Sequence, residues 1–260
     1  MLHQIDWQLL AERLFEPEGP FWRALVTTVG IAVAAEIAGV IIGFLAVLAL
    51  RSRIWPLQIV TYLYVWVMRG TPIVVQIFFV YFGANLFLGF DLFPREVSFL
   101  GLTVSGAIVA GTVALAINEG AYMSEIVRAG IDSIDKGQLE SALAVGMLKR
   151  TAMRRIILPQ AARVMIPPLG NQFNYMLKTT SLLAFIGVYE LFRDAQVHYS
   201  VHFQPVEVFI AVAIWYLLLT TIWGIVQVQL ERRFGASERE ERESWLNRFL
   251  GFGRSDGGRR

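Results

Sequence analysis

Lys178 is the residue whose chemistry stands out first. It lies in PPLGNQFNYMLKTTSLLAFIGVYEL, residues 167–191, among Asn171, Gln172, Asn174, Thr179, Thr180 and Ser181. An ionisable side chain inside an apolar stretch is expensive unless it is paired or hydrated, so each is a candidate for function. An ammonium there can meet the carboxylate of a solute, or it can pair internally with Glu36, Glu119 or Glu125. Glu36 sits in the middle of ALVTTVGIAVAAEIAGVIIGFLAVLAL. It either faces a cavity and reads a cationic group, or accepts a hydrogen bond from a neighbouring helix. Arg69 precedes Gly70-Thr71-Pro72, a sequence that breaks helices. Broken spans free backbone groups and often mark a transport path, whereas an Arg at a membrane surface is simply an anchor. Glu125 and Arg128, three apart, can pair along one helix face. His198 and His202, four apart, have helical metal-ligand spacing, but no third ligand stands nearby and no metal site is expected. The chain lacks a phosphate-cradling Gly-Lys-Ser loop, a G-x-S-x-G elbow and an H-E-x-x-H motif, so neither ATP binding nor hydrolysis is expected of it.

The elements that must position these groups are membrane helices. Only 17% of the 260 residues are charged and 55% are hydrophobic, with a mean hydropathy of +0.53, whereas soluble domains carry about 25% charge. Five spans are expected: 24–50; one within 57–89 broken near Gly70; about 102–127; a polar one over 164–189; and about 207–230. Each is near the roughly 20 residues that cross a bilayer. Lys178 then falls about mid-membrane at the rise of a helix. No cysteine is present, which removes disulfides, thiolate metal sites and sulfur redox chemistry and leaves the compartment open. The start, MLHQIDWQLLAERLFEPEG, is acidic rather than basic, unlike a cleavable signal peptide. Trp7, Leu10 and Leu14 share a face and predict a short helix on the membrane surface.

Cations collect on the cytoplasmic side. Arg51 and Arg53, then Arg128, Lys136, Lys149, Arg150, Arg154, Arg155 and Arg163, then the arginines between Arg232 and Arg260, all fall on one side of a five-span chain. Arg13, Arg23, Arg95 and Arg193 fall on the other. The N-terminus is therefore expected outside and the C-terminus in the cytoplasm. The tail from 232 reads as solvated, although Ser244-Trp245-Leu246 and Phe249-Leu250 have the composition to lie on headgroups.

On the cytoplasmic side lies ESALAVGMLKRTAMRRIILPQ, residues 140–160. Leu139, Ala142, Leu143, Met147 and Ile156 recur at helical spacing, followed by Lys149, Arg150, Arg154 and Arg155. Gly146 offers a bend and Pro159 is expected to end the segment. Such an element either docks on a partner or is a plain linker with membrane-surface charge.

Glu140-Ser141-Ala142, Gly146, Ile156 and Leu158-Pro159 reproduce the spacing E-A-A-x-x-x-G-x(9)-I-x-L-P, with Ser141 replacing the first Ala. This resembles the cytoplasmic loop of membrane subunits of ATP-binding-cassette importers. Met68-Arg69-Gly70-Thr71-Pro72, the run Gly120 to Arg128, and 167–191 are similar to the polar amino-acid uptake branch, where many relatives have Asp at the position of Thr179. The resemblance covers about 24–231. It implies an all-α type I permease fold, with an outer segment 1–23, a transmembrane domain 24–231 and a cytoplasmic tail 232–260. It also implies a coupling helix that sits on a separate ATPase dimer, which binds the ATP. The other expected partners are a second permease subunit, identical or sister, an external amino-acid-binding protein and membrane lipid; no nucleic acid is expected. Glu140, Ser141, Ala142, Gly146, Ile156, Leu158 and Pro159 are the expected coupling residues. Lys178, Thr180, Ser181, Asn174, Arg69, Glu36 and Glu125 are candidates for the solute path. A permease for an opine or a sulfur amino acid remains an alternative, as does an ATPase-independent channel or a sensor.

Overall fold

The computed structural model describes residues 5–83, 86–87, 89–99 and 102–234. Its frame is a tight pair of long helices, α2 (Gly19–Leu50) and, further along the chain, α5 (Gly106–Asp132). Small residues let them approach. A Cβ on Gly43 would stand 2.4 Å from the Met123 Cβ, and one on Gly39 would stand 2.8 Å from the Glu119 Cβ. Ala32, Ala35, Ala114 and Leu115 are buried beside them. Helices in lipid associate through such close backbone packing, because the surrounding tails are as apolar as the side chains.

Before α2 comes α1 (Trp7–Phe15), capped by the Asp6 carboxylate on the N–H groups of Gln8 and Leu9. It buries Leu10 and leaves Trp7 69% exposed. After α2 the chain forms α3 (Trp55–Gly70), breaks, and resumes as α4 (Ile73–Phe78) with a π turn over Phe79–Gly83. The bend between the two halves is 114°, at the break expected from Gly70-Thr71-Pro72.

One expectation about spans needs correction. The third span does not begin at 102: Leu102–Ser105 is strand β2, paired antiparallel with β1 (Glu96–Phe99). The helix starts only at Gly106, where the Ser105 hydroxyl accepts from the Ala107 N–H, as an N-cap does. The all-helical frame thus carries one small hairpin. The expected fourth span, 164–189, stands apart by its polarity. Among the described residues, three helices are long and apolar enough to cross a membrane, α2, α5 and α10 (Pro205–Phe234), or four if α3 and α4 form one span. The helix α8 (Leu158–Thr179), which follows the cytoplasmic loop, is not among them, and the chain beyond it is a 3-10 turn over Thr180–Ile186.

Several polar groups of α8 are bonded to neighbouring helices. Gln172 Nε2 donates to Glu119 Oε1 at 3.0 Å, Gln227 Nε2 to Asn171 Oδ1 at 3.1 Å, and the Trp223 indole to the Gly170 carbonyl at 2.8 Å. Gly170 is required there, since a Cβ would meet Gln227 Cδ at 2.6 Å. After the 3-10 turn, α9 (Leu191–His202) leads through Phe203, at φ 55°, into α10. The tail from 235 onward, with Ser244, Trp245, Leu246, Phe249 and Leu250, lies outside the described residues.

Candidate functional site

The cytoplasmic loop opens with α6 (Lys136–Ala144), capped by Asp135 on the Gly137 N–H. It ends in a Schellman motif: Met147 N–H bonds the Ala142 carbonyl at 3.0 Å and Gly146 N–H bonds Leu143 at 3.0 Å. Gly146 supplies the left-handed φ of +84° that this closure needs. The chain re-enters helix as α7 (Lys149–Ala152) and widens into a π turn over Met153–Ile157. It then runs directly into α8.

Pro159 therefore does not end the helix, as the sequence suggested; it lies in the first turn of α8. A proline clashes with the carbonyl four residues before it in a regular helix. The wider π turn just upstream gives the ring room. The break lies instead at Gly146.

The motif residues divide by role. Ala142 and Ile157 are buried, and Leu139, Ile156 and Leu158 pack on the cluster of Val47, Val127, Ile131 and Ala161. This holds the loop to α2, α5 and α8. Glu140, Ser141, Gly146 and Pro159 are exposed. At the tip, Val145 is 79% and Leu148 76% exposed, with Leu143 also bare.

The candidate charges separate into three places. Arg69 and Glu125 meet at the α3–α5 seam: Arg69 Nη1 is 3.5 Å from Glu125 Oε2, and its guanidinium lies 5.7 Å over the Tyr122 ring. Arg128 Nη2 is 2.7 Å from the same oxygen, the pairing expected along the helix. Arg69 is thus held in an exposed ion-pair cluster. Glu36 on α2 and Glu119 on α5 both lie at the seam between these helices, where Gly39 faces Glu119. The Glu36 Oε2 is buried and has no hydrogen-bond partner among the described residues, so the bond expected from a neighbouring helix is not made at that oxygen. Lys178 lies elsewhere, exposed in the last turn of α8. Among the described residues it forms no ion pair: Glu119 bonds Gln172 and Glu125 bonds two arginines, so of the two alternatives the internal pairing is not made.

Lys178 and Ser181 line a cleft of about 570 Å³ together with Phe192, Phe209, Tyr216 and Thr220. Thr180 stands behind it, buried, with its hydroxyl on the Leu177 carbonyl at 2.8 Å. Asn174 is half-buried on α8 and does not line the cleft. Glu190 anchors the far wall by capping α9: it accepts from the N–H groups of Phe192 and Arg193 and from the Tyr216 hydroxyl at 2.8 Å. Burial pushes its carboxyl up from the ordinary range, and these bonds oppose the shift.

Sequence reasoning missed Gln76 and Asn118. Pro72 cannot donate to the carbonyl of Met68, four residues before it. Gln76 Nε2 donates to that carbonyl at 2.9 Å and Asn118 Nδ2 at 3.0 Å, and Asn118 also bonds Gln76 Oε1 at 2.9 Å. A lone amide four residues after the proline, inside IVVQIFFVYFG, was the available signal. Of the two histidines, His198 Nδ1 contacts the Arg13 guanidinium, and the His202 side chain lies outside the described residues. No group of three potential metal ligands occurs among the described residues.

Residues 38–236 match the family model described as binding-protein-dependent transport system inner membrane component. The chain is 38% identical over 231 residues to the probable amino-acid permease protein YxeN of Bacillus subtilis, covering 89% of this chain and 96% of that one. It is 38% identical over 206 residues to the glutamine transport system permease protein GlnP of Escherichia coli, covering 79% and 89%. It is 39% identical over 213 residues to the arginine transport system permease protein ArgU of Corynebacterium glutamicum, covering 81% and 67%. A solved structure titled as an amino acid ABC transporter with histidines superposes with a TM-score of 0.76 at 34% identity, covering 88% of this chain and 99% of that one.

Proposed function

The chain belongs to the family of binding-protein-dependent transport system inner membrane components, and on that premise we propose that it is the permease subunit of an ATP-driven importer of polar amino acids. The observation that carries the mechanism is the loop tip. Leu143, Val145 and Leu148 are bare at the end of an element whose other apolar residues anchor it to three helices. Apolar side chains gathered at a loop tip mark a surface that another protein covers. That protein is a separate ATPase, which binds the ATP; the permease needs no cofactor of its own.

Glu140, Ser141 and Gly146 form the outer docking surface, Ala142, Ile156 and Leu158 form its root, and Pro159 stands exposed where α8 begins. As two ATPase subunits close on ATP, the loop moves with them. Because its root is packed on α2, α5 and α8, the spans rock and open the solute path toward a loaded external binding protein. Two such subunits, identical or sister, enclose the path. Residues 1–23 form the outer segment, 24–231 the transmembrane domain and 232–260 the tail. The N-terminus is outside and the C-terminus in the cytoplasm, in keeping with the cationic loops. Lys178, Thr180, Ser181 and Asn174 belong to the solute path; Glu36 borders it, and Arg69 and Glu125 stabilise its cytoplasmic end.

The test is purification from membranes followed by ATP hydrolysis in lipid with candidate binding proteins and amino acids. An ATPase subunit should co-purify, and its turnover should rise only with a loaded binding protein. If the chain purifies alone and 140–159 can be scrambled without effect on transport, a channel or a sensor is the correct reading.

A further inference from the structure

The coupling loop packs at the Val47 end of α2, and α1 lies at the other end, tied to α9 and α10. One of those ties passes through an imidazole. We propose that α1 is a pH-responsive clasp: protonation of His198 breaks its bond to Arg13 and frees α1 from the helices it holds. This goes beyond the permease reading; only the statement that the external pH is sensed rests on that reading.

The ties to α10 and its lead-in do not titrate near neutral pH. Glu207 Oε1 accepts from the Asp6 N–H at 2.9 Å, the Trp215 indole donates to the Arg13 carbonyl at 3.3 Å, and Gln204 Nε2 donates to Asp6 Oδ2 at 3.4 Å. Leu9 packs on the cluster of Phe21, Leu191, Ala195 and Val208. The tie to α9 is different in kind, because there Arg13 Nη2 contacts His198 Nδ1. A guanidinium carries donors and no acceptor, and it does not lose its charge in a protein. The nitrogen facing it must therefore present a lone pair. The His198 ring is then neutral, with its proton on Nε2. An imidazolium has an N–H at both nitrogens, so it offers Arg13 no acceptor and sets one cation against another. The sign follows. The bonded state requires the neutral ring, so the tie is fully present above the ordinary imidazole value of about 6.5 and is lost as the pH falls below it.

The surroundings offer a second place for the charged ring. Asp194 precedes His198 by four residues on α9, a spacing at which helical side chains meet. It is buried and accepts from the Tyr189 hydroxyl at 2.6 Å. The other charged groups of the packed elements are Glu12 and Glu16 on α1, Glu18 and Arg23 at the head of α2, Glu190 and Arg193 at the start of α9, and Glu207 on α10. Glu190 is engaged by Phe192, Arg193 and Tyr216, and Arg193 Nη1 bonds Gln196 Oε1 at 3.2 Å. Arg13 Nη1 is buried and has no hydrogen-bond partner among the described residues, so the grip of the guanidinium on α9 runs through His198. The helices under the clasp, α9 and α10, carry Phe192, Phe209 and Tyr216 of the cleft. Release of α1 loosens the outer ends of both.

The chain has no cysteine, and Leu10 is buried, so Leu10→Cys reports release through its rate of reaction with a maleimide. Ser200→Cys, exposed on α9, is the reference that cancels the pH dependence of the thiol itself. The full-length subunit is placed in nanodiscs, where both faces are open. The rate ratio of Leu10→Cys to Ser200→Cys should rise about tenfold between about pH 7.5 and about pH 5, the change expected for a lost bond to a charged group. His198→Gln keeps an acceptor for Arg13 and does not titrate, and with it the ratio should stay low throughout. His198→Lys sets a permanent cation against Arg13, and with it the ratio should be high already at neutral pH. A ratio that ignores pH with His198 in place overturns the proposal. So does an acid rise that persists in His198→Gln, which would assign the response to another group such as the Glu190 carboxyl. In intact cells the same rise should follow the outer pH. A rise seen only in inside-out vesicles keeps the clasp and discards external sensing, together with the outward N-terminus of the permease reading.

Discussion

The Met68 carbonyl shows how one missing proton shapes the environment of a helix break. Pro72 removes its helical donor, and two side-chain amides from positions 76 and 118 replace it. Without water in the bilayer core, such a carbonyl must be satisfied by protein. Asn118→Ala should therefore destabilise the subunit by about 1–3 kcal/mol, the cost of leaving a buried polar group short of a partner. A lower thermal midpoint in detergent is the expected readout; an unchanged midpoint would mean that Gln76 alone suffices. Glu36→Leu provides the contrast. Its Oε2 accepts no bond among the described residues, and removing an unbonded buried carboxyl relieves a desolvation cost. The midpoint of that variant should hold or rise.

At the scale of elements, the α2–α5 seam makes the sign of a glycine substitution depend on position. Gly43→Ala places a methyl 2.4 Å from the Met123 Cβ, and overpacking of this kind costs about 1–3 kcal/mol. Gly30 has nothing within 4 Å, so Gly30→Ala should be neutral or gain up to about 1 kcal/mol from helix propensity. Opposite shifts of the two midpoints are expected, and equal shifts would show that the helices separate freely. The loop obeys a different rule. At Gly146, with φ +84°, a β-branched residue costs about 1–2 kcal/mol in the left-handed region and unseats the Schellman closure. Gly146→Val should abolish uptake while membrane insertion and expression persist, as read by transport assays and immunoblots of membrane fractions. Normal uptake would remove the loop from the coupling path.

For the whole molecule, orientation is testable with little background because the chain has no cysteine. Ser141→Cys should react with a membrane-impermeant maleimide only from the cytoplasmic side, in inside-out vesicles. Ser200→Cys, exposed on α9, should react from outside in intact cells; the reverse pattern would invert the topology. Apolar length and the loop motif are properties of local composition and spacing, so they were readable in the chain alone. So was the break at Gly70-Thr71-Pro72, because backbone chemistry dictates it. Other features depend on partners far along the chain. Asn118 reaches Met68, Gln172 reaches Glu119, and Gln227 reaches Asn171; these contacts make a polar helix tolerable and fill a broken one. The π turn that carries Pro159 into α8, and the separation of Lys178 from the carboxylates that could have paired with it, were likewise decided only by the packing. Sequence spacing determines which groups share a helix face; the energy of a buried charge or carbonyl depends on what the neighbouring helix places beside it.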